Sequence, residues 1–137
     1  MSAILLDTHV LLWLTEHDPN LGLAARRAID DAARGEGVFV SSISFWEVAL
    51  LARRGRVELT RSMAEWREAV LHRSGLKEIP LDSAIAIDAV ALPGFVHADP
   101  ADRFLIATAR RIGATLMTRD VRIAEYARDG NLVVAEA

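Results

Sequence analysis

The sequence predicts an α/β fold in which helices cover both faces of a parallel β-sheet. Short apolar runs, too short for helices and typical of buried strands, recur along the chain. Between them lie longer stretches with apolar residues at helical spacing, and glycines follow several of these stretches, as they do at helix ends. Strands that alternate with helices favour a parallel sheet, because each helix carries the chain back to start the next strand.

The first half of the chain contains two predicted strands and four predicted helices. In order they are a strand at 3–6, helices at 8–14 and 21–33, a strand at 38–40, and helices at 41–54 and 61–73. The polar run 17–20, which contains a proline, breaks the first helix. Gly35 and Gly55 end two of the others, and the Ser-x-x-Glu pattern at 44–47 matches a capping box.

The second half continues the alternation. Its predicted elements are a strand at 76–81, helices at 82–92, 99–112 and 120–128, and strands at 114–117 and 132–134. Pro80 favours an edge position for the first of these strands, because proline cannot donate a ladder hydrogen bond. Asp82 reads as an N-cap, Asp99 followed by Pro100 is a strong helix start, and Gly113 ends that helix.

Composition sets broad bounds on the function. We expect residues 1–137 to form a single domain with its own core. The chain has no cysteine, which excludes disulfides and thiolate metal sites, and no P-loop or dinucleotide-binding glycine pattern. We find no signal peptide and no apolar run long enough to span a bilayer, so we expect a cytoplasmic protein without a membrane partner. The formal net charge of −3 does not attract nucleic acid in bulk, although 15 of the 16 basic residues are arginine, which suits phosphate contacts.

Four acidic residues stand where the chain passes from a strand or loop into a helix. They are Asp7, Glu47, Asp102 and Asp120. In a parallel α/β sheet the helix N-termini lie at the carboxyl ends of the strands, so this topology brings all four to one edge. Each acid alone is best explained as a helix cap or a first-turn residue, and the functional hypothesis depends on their convergence. Converging carboxylates suit Mg²⁺ or Mn²⁺, which prefer oxygen ligands, and such a site is typical of metal-assisted phosphodiester hydrolysis.

Five segments of the chain, taken in order, resemble the PIN-domain nucleases, and in particular the toxins of VapBC type II toxin–antitoxin systems. The segments are LLDTH at 5–9, SSISFWEVA at 41–49, HADPADR at 97–103, LIATA at 105–109 and TRD at 118–120. Each is weak alone, but the ordered set is specific and covers nearly the whole domain.

This resemblance implies a three-layer α/β/α sandwich with a five-stranded parallel sheet of order 3-2-1-4-5. It also implies Mg²⁺- or Mn²⁺-dependent endonucleolytic cleavage of RNA, a cognate antitoxin that inhibits the enzyme, and a homodimer. It assigns Asp7 and Asp102 as the main metal ligands. Glu47 would orient the attacking water or bind metal through water, and Asp120 would support a metal or a ligand. An antitoxin helix or extended segment would lie against the helices at 21–33 and 42–73.

Several neighbours of the acids are candidates for secondary roles. Alignment with the family's third acid selects Asp102 over Asp99, which we expect to be the N-cap. Thr8 and Thr118 are candidates for hydroxyl groups that orient the acids. For Arg103 and Arg119, contact with phosphate and pairing with a carboxylate are both open.

The aromatic residues near the acids are expected to have other roles. In a site of oxygen ligands, His9 and His97 suit structure or substrate contact better than metal binding. Trp13, Trp46 and Trp66 lie among apolar helical positions, which favours core or interface packing over base stacking.

Two alternatives to a toxin remain open at this point. The same fold serves housekeeping RNA-processing nucleases that have no antitoxin, and it also serves as a non-catalytic RNA-binding module. The presence of an acid at all four positions argues against the non-catalytic alternative.

Overall fold

The computed structural model of this chain describes residues 3–73, 75–94 and 99–137. Within these ranges there are five strands and seven helices. The strands are β1 (Ile4–Leu6), β2 (Val38–Ser41), β3 (Leu76–Ile79), β4 (Thr115–Thr118) and β5 (Val134–Glu136). The helices are α1 (Thr8–Thr15), α2 (Leu23–Arg34), α3 (Ser42–Arg53), α4 (Met63–Leu71), α5 (Ser83–Val90), α6 (Pro100–Ile112) and α7 (Val121–Ala127).

All five strands run parallel in the order β3-β2-β1-β4-β5, which confirms the predicted fold class and strand order. At the centre of the sheet, Leu5 pairs with Phe39 of β2 on one side and with Leu116 of β4 on the other. The strand order reverses between β1 and β4, and in open α/β sheets such a switch point is where ligands bind. β3 lies at the edge, as Pro80 predicts.

The two faces of the sheet bury separate hydrophobic clusters, because successive side chains of a strand point to opposite faces. Ile4 and Leu6 join the cluster formed with α1, α2 and α4, whereas Leu5 joins the cluster formed with α6 and α7. Helices on both sides make the three-layer sandwich. Among the residues that the structure describes, no helix has the length and apolar character to cross a bilayer.

Local capping chemistry defines several helix ends as predicted. The Asp99 carboxylate accepts a hydrogen bond from the Asp102 backbone N–H at 3.1 Å, and Pro100 opens α6. Gly113 ends α6 with φ at 68°, the left-handed conformation that favours glycine. Asp82 caps α5 through the Ile85 N–H.

The predicted capping box at Ser44 and Glu47 is wrong. Ser41 is the N-cap of α3, since it is the residue that leaves β2 in an extended conformation and its side chain accepts from the Ile43 N–H. The capping box lies at the start of α4 instead, between Ser62 and Glu65.

Several element boundaries also differ from the prediction. The helices predicted at 21–33 and 61–73 are observed as α2, which starts after the N-cap Gly22, and the shorter α4. The sequence predicts the last strand at 132–134, but the observed strand is β5 at Val134–Glu136. Leu132 packs in the core ahead of it, and pairing with β4 starts where the Val133 carbonyl accepts from the Leu116 N–H.

Candidate functional site

The four predicted acids lie around the switch point at the carboxyl edge of the sheet. Asp7 directly follows β1, and its backbone N–H donates to the Met117 carbonyl of β4 at 3.0 Å. Glu47 lies in the second turn of α3, which follows β2. Asp102 lies in the first turn of α6, and Asp120 is the N-cap of α7 directly after β4. The topology therefore places them together, as the sequence predicted.

Asp7 is the most constrained of the four. The residue is 8% exposed, and its Oδ1 accepts from the Thr8 N–H at 2.7 Å. Its Oδ2 accepts from the Thr118 hydroxyl at 2.6 Å, and the same hydroxyl accepts from the Asp120 N–H at 3.0 Å. Thr118 thus links Asp7 to the loop that carries Asp120, which supports the predicted role of this threonine.

Glu47 is positioned by a chain of hydroxyl groups. Thr8 Oγ1 hydrogen-bonds to Glu47 Oε1 and lies 2.9 Å from Ser44 Oγ. A hydroxyl has a single hydrogen, so when Thr8 donates to the Glu47 carboxylate, Ser44 must donate to Thr8. Ser44 is fully buried one helical turn before Glu47.

The sequence predicts Ser44 as part of a capping box, so its positioning role becomes visible only in the structure. The spacing of Ser44 and Glu47 could have indicated this role, since residues three apart on a helix share a face.

The acids are within electrostatic range of one another. Burial is the largest cause that raises the pKa of Asp102 to about 8, and the neighbouring carboxylates of Asp99, Asp7, Asp120 and Glu47 raise it further. Mutual repulsion of this kind disfavours the ionised form of an acid. A cation among these groups would relieve it.

Burial also raises the pKa values of Asp7 and Glu47. Hydrogen bonds from Thr118 and Thr8 oppose the effect on Asp7, and the Thr8 hydroxyl opposes it on Glu47. The charge of Asp7 adds to the increase at Glu47. These two carboxyls are therefore held in place by hydroxyl groups but are harder to ionise than acids in water.

The donor chemistry of the site fits a hard divalent cation. Carboxylate oxygens and threonine hydroxyls are ligands or supporting groups for Mg²⁺ and Mn²⁺, and a group of repelling acids gains from a cation. Across residues 3–73, 75–94 and 99–137, however, no three Asp, Glu or His side chains stand close enough to hold one ion as they are. The assignment of individual metal ligands stays a prediction.

Asp99 and Asp120 both act as caps at this edge. Asp99 caps α6, as predicted, and its charge still raises the pKa values of Asp102 and Glu47. Asp120 caps α7 by accepting from the Arg122 and Ile123 N–H groups. Capping and membership of the acidic cluster are therefore compatible, because the helix N-termini themselves lie at the site.

The two arginines beside the acids bind backbone carbonyls. Arg103 donates to the Ala89 and Val90 carbonyls at 3.0 and 3.2 Å, which ties α6 to the end of α5. Arg119 donates to the Asn20 and Ala137 carbonyls. These bonds explain both side chains structurally, so phosphate contact remains a prediction for each.

The predicted aromatic positions have different surroundings. Trp66 is 1% exposed in the core, whereas Trp46 is 57% exposed on α3. Trp13 and the exposed His9 are neighbours on α1 with ring centroids 6.3 Å apart. His97, also predicted near the site, lies outside the described residues.

Comparison with known proteins agrees with this architecture. The pattern of the PIN domain family matches residues 4–129. The chain belongs to the PIN-domain family. This membership confirms the predicted resemblance, and the PIN domain match includes all four acids of the switch point.

This PIN domain is similar in sequence to one ribonuclease and in fold to two solved structures. Ribonuclease VapC22 of Mycobacterium tuberculosis is 33% identical over 126 residues, which are 92% of this chain and 93% of that protein. The structure of VapBC2 from Rickettsia felis bound to a DNA fragment from their promoter has a TM-score of 0.69 at 17% identity, and the match covers 98% of each chain. DNA-bound VapBC from Salmonella typhimurium has a TM-score of 0.68 at 19% identity, covering 99% of this chain and 98% of that one. At these identities the two structures support the likeness of fold.

Proposed function

We propose that this protein is a Mg²⁺- or Mn²⁺-dependent endoribonuclease that acts as the toxin of a type II toxin–antitoxin system. The similarity to Ribonuclease VapC22 and the fold shared with VapBC complexes support this proposal. We further propose that residues 1–137 act as one domain and that the enzyme works in the cytoplasm, where cellular RNA is the substrate.

One observation carries the proposal. Carboxylates from four separate parts of the chain lie around the switch point, where burial and then their mutual charges raise the pKa of Asp102 to about 8. Capping explains Asp7 and Asp120, but Glu47 lies in the second turn of α3 and is not its cap. Repulsion among buried acids disfavours their ionised forms in the metal-free protein. Perturbed acids in such a place are typical of a functional site.

The roles follow from the position of each side chain. We propose that Asp7 and Asp102 are the main metal ligands, with Asp120 as a supporting acid. A bound Mg²⁺ or Mn²⁺ would stabilise charge on the phosphate and favour ionisation of a water molecule. Glu47, held by Thr8, would orient that water and accept its proton. Thr118 would hold Asp7 Oδ2 in a fixed direction, which leaves the carboxylate ready for its ligand role.

The partners are RNA, an antitoxin and a second copy of the chain. We propose that an antitoxin segment lies against the surface formed by α2, α3 and α4, where an amphipathic helix or extended segment would find helical walls. If a short open reading frame directly upstream encodes a DNA-binding protein, the toxin assignment is supported over that of a housekeeping nuclease. Co-purification and the mass of the complex test the antitoxin and the homodimer.

Cleavage of RNA by the purified protein tests the enzymatic part of the proposal. We expect cleavage of structured RNAs with Mn²⁺, loss of cleavage with EDTA, and recovery when Mn²⁺ is restored in excess. Asp7→Asn keeps the shape of the side chain but removes the charge of a ligand, so we expect a loss of activity of about a hundredfold, because changing even a residue that only supports a metal ligand costs about 10- to 100-fold. Asp82→Asn is the matched control, because Asp82 caps α5 beyond the edge strand and asparagine is an equally good cap. Full activity of Asp7→Asn, or the absence of metal-stimulated cleavage in the wild type, would contradict the assignment.

A further inference from the structure

A cavity of about 300 Å³ adjoins two of the acids on the side of α1. Its lining residues are Asp7, His9, Trp13, Arg119 and Asp120. Two of these are carboxylates of the proposed cleavage site, and the other three are an imidazole, an indole and a guanidinium. The chemistry of those three differs from that of the site itself, because they are flat groups with π or cationic character.

Arg119 is fixed within this cavity. Its guanidinium carbon lies 4.6 Å from the centre of the Trp13 ring, a cation–π contact. Its Nε and Nη2 donate to the Ala137 carbonyl at 3.1 and 2.6 Å, and Nη2 also donates to the Asn20 carbonyl at 2.5 Å. The side chain remains exposed despite these bonds. A planar group is thus held against an indole while part of its surface stays accessible.

His9 adds a second ring to the same wall. It stands one turn before Trp13 on α1, is exposed, and is tilted by 53° to the indole at 6.3 Å. Residues four apart on a helix share a face, so the spacing of the two rings is built into α1.

We propose that this cavity binds one unpaired nucleobase of the RNA substrate, next to the phosphate that is cleaved. The proposal rests on the proposed ribonuclease function and deepens it. Unpaired bases stack on aromatic rings and on arginine planes, which are the groups that line this cavity. The position of Trp13 in the cavity wall therefore favours stacking over the packing role that the sequence indicates for it. A base in a duplex is already stacked on its neighbours, so the nucleotide bound here must be single-stranded.

The hydrogen bonds of Arg119 favour a base over a phosphate as the ligand. Arginine recognises phosphate best through two parallel N–H donors. In this chain Nε and Nη2 of Arg119 donate to backbone carbonyls, so the pair of donors on this edge of the guanidinium is already occupied. These hydrogen bonds lie in the plane of the guanidinium, so they leave its face suited to stacking. Because Asp7 and Asp120 line the cavity too, a nucleotide whose phosphate lies at the acids can place its base here.

Short single-stranded RNAs with one abasic nucleotide on either side of the cleaved bond test this proposal. With the wild-type protein and Mn²⁺, we expect the missing base on one side to lower kcat/KM about tenfold, which is within the range of one base–aromatic stack. In Trp13→Leu and Arg119→Lys the intact RNA should be cleaved more slowly, and the abasic penalty should disappear. Trp13→Phe should keep most of it, because it keeps a flat ring.

Two matched controls separate this effect from general damage. Trp46→Leu removes an exposed indole on α3 that does not line the cavity, and Arg122→Lys changes an exposed arginine of α7 in the same way as Arg119→Lys. Both should keep the full abasic penalty. His9→Ala is the variant least able to disturb folding, since His9 is exposed, and it should reduce the penalty in part. Melting curves establish that each variant is folded.

The outcomes distinguish failure of the inference from failure of the proposed function. If the wild type cleaves RNA but the abasic penalty is absent, or is equal in the wild type, Trp13→Phe and Trp13→Leu, the base pocket is wrong and the ribonuclease stands. If the wild type cleaves no RNA, the proposed function is wrong, and fluorescence anisotropy with the same RNAs decides the pocket. In that case, equal affinity for intact and abasic RNA would overturn the proposal of a base-binding cavity. Weaker antitoxin binding by Trp13→Leu, with no abasic effect, would assign the cavity to a protein partner and also overturn the proposal.

Discussion

Replacing Asp102 by asparagine should remove RNA cleavage and at the same time stabilise the metal-free protein. Burial, and then the like charges around it, raise the pKa of the Asp102 carboxyl in the folded state to about 8 from the ordinary value of 3.8. The folded state therefore binds this proton more tightly than the unfolded state does. As the pH rises from about 4 to about 8, the unfolded chain loses its proton first, and the free energy of unfolding falls.

The size of this effect follows from the interval between the two pKa values. One pKa unit corresponds to about 1.4 kcal/mol. Between the ordinary pKa of 3.8 and pH 7 there are about three units, so without screening the shift would lower the free energy of unfolding at pH 7 by about 4 kcal/mol. Because the carboxyl of Asp102 is partly open to solvent, screening reduces this, and we expect about 1–2 kcal/mol. Asparagine has a similar shape and does not titrate in this range. Asp102→Asn should therefore raise the free energy of unfolding by about 1–2 kcal/mol at pH 7 in EDTA, and by little at pH 4.

Urea denaturation at pH 4, 6 and 8 in EDTA measures this difference, and cleavage of RNA with Mn²⁺ measures the activity of the same samples. Asp82→Asn again serves as the control, because it changes a cap remote from the switch point. If Asp102→Asn unfolds more easily than the wild type at pH 8, or if its stability depends on pH as steeply, then ionisation of Asp102 does not destabilise the folded state. If the variant is stabilised but still cleaves RNA at the wild-type rate, the electrostatic effect of Asp102 is supported and its role in cleavage is contradicted.

Two further predictions test the supports of the site and of the sheet. Ser44→Ala leaves Thr8 without its buried partner, so we expect a lower kcat with little change in KM and a loss of about 1 kcal/mol of stability. Ser44→Thr keeps the hydroxyl and should recover part of the kcat. Equal rates for the wild type and both variants would contradict a role for the hydroxyl chain. Gly75→Ala should destabilise the protein by more than about 1 kcal/mol, because φ is +83° and the new Cβ would lie 2.6 Å from the Ala33 Cβ. Gly55 has a similar φ of +69° with nothing within 4 Å, so Gly55→Ala should be milder, and equal urea midpoints would disprove the steric argument.

The sequence alone determined the element types and many helix ends. Asp99 with Pro100, Asp82 and Gly113 act where the chain predicted, because capping depends on backbone groups within a few residues of the side chain. Boundaries were less certain where longer-range bonding sets them. The last strand begins where the Val133 carbonyl meets Leu116 of β4, and that bond depends on the sheet as well as on the local sequence.

Tertiary structure decided which of two identical patterns is a capping box. Ser-x-x-Glu occurs at 44–47 and at 62–65, and only the second caps a helix. The first lies inside α3, where Ser44 and Glu47 meet Thr8 of a helix that is distant in sequence. Local sequence does not distinguish the two, because the deciding partner comes from another element.

The same distinction holds for the acids and for their surroundings. That each acid stands at a helix start could be read from the chain, and the family resemblance supplied the strand order that brings them together. The raised pKa of Asp102 depends on burial and on the carboxylates of Asp7, Glu47 and Asp120, so it exists only in the folded state. The hydroxyl chain through Ser44 and the cavity at Trp13 and Arg119 likewise join residues from different elements. Capping is a short-range interaction, whereas charge coupling, burial and stacking require the packing of the whole sheet.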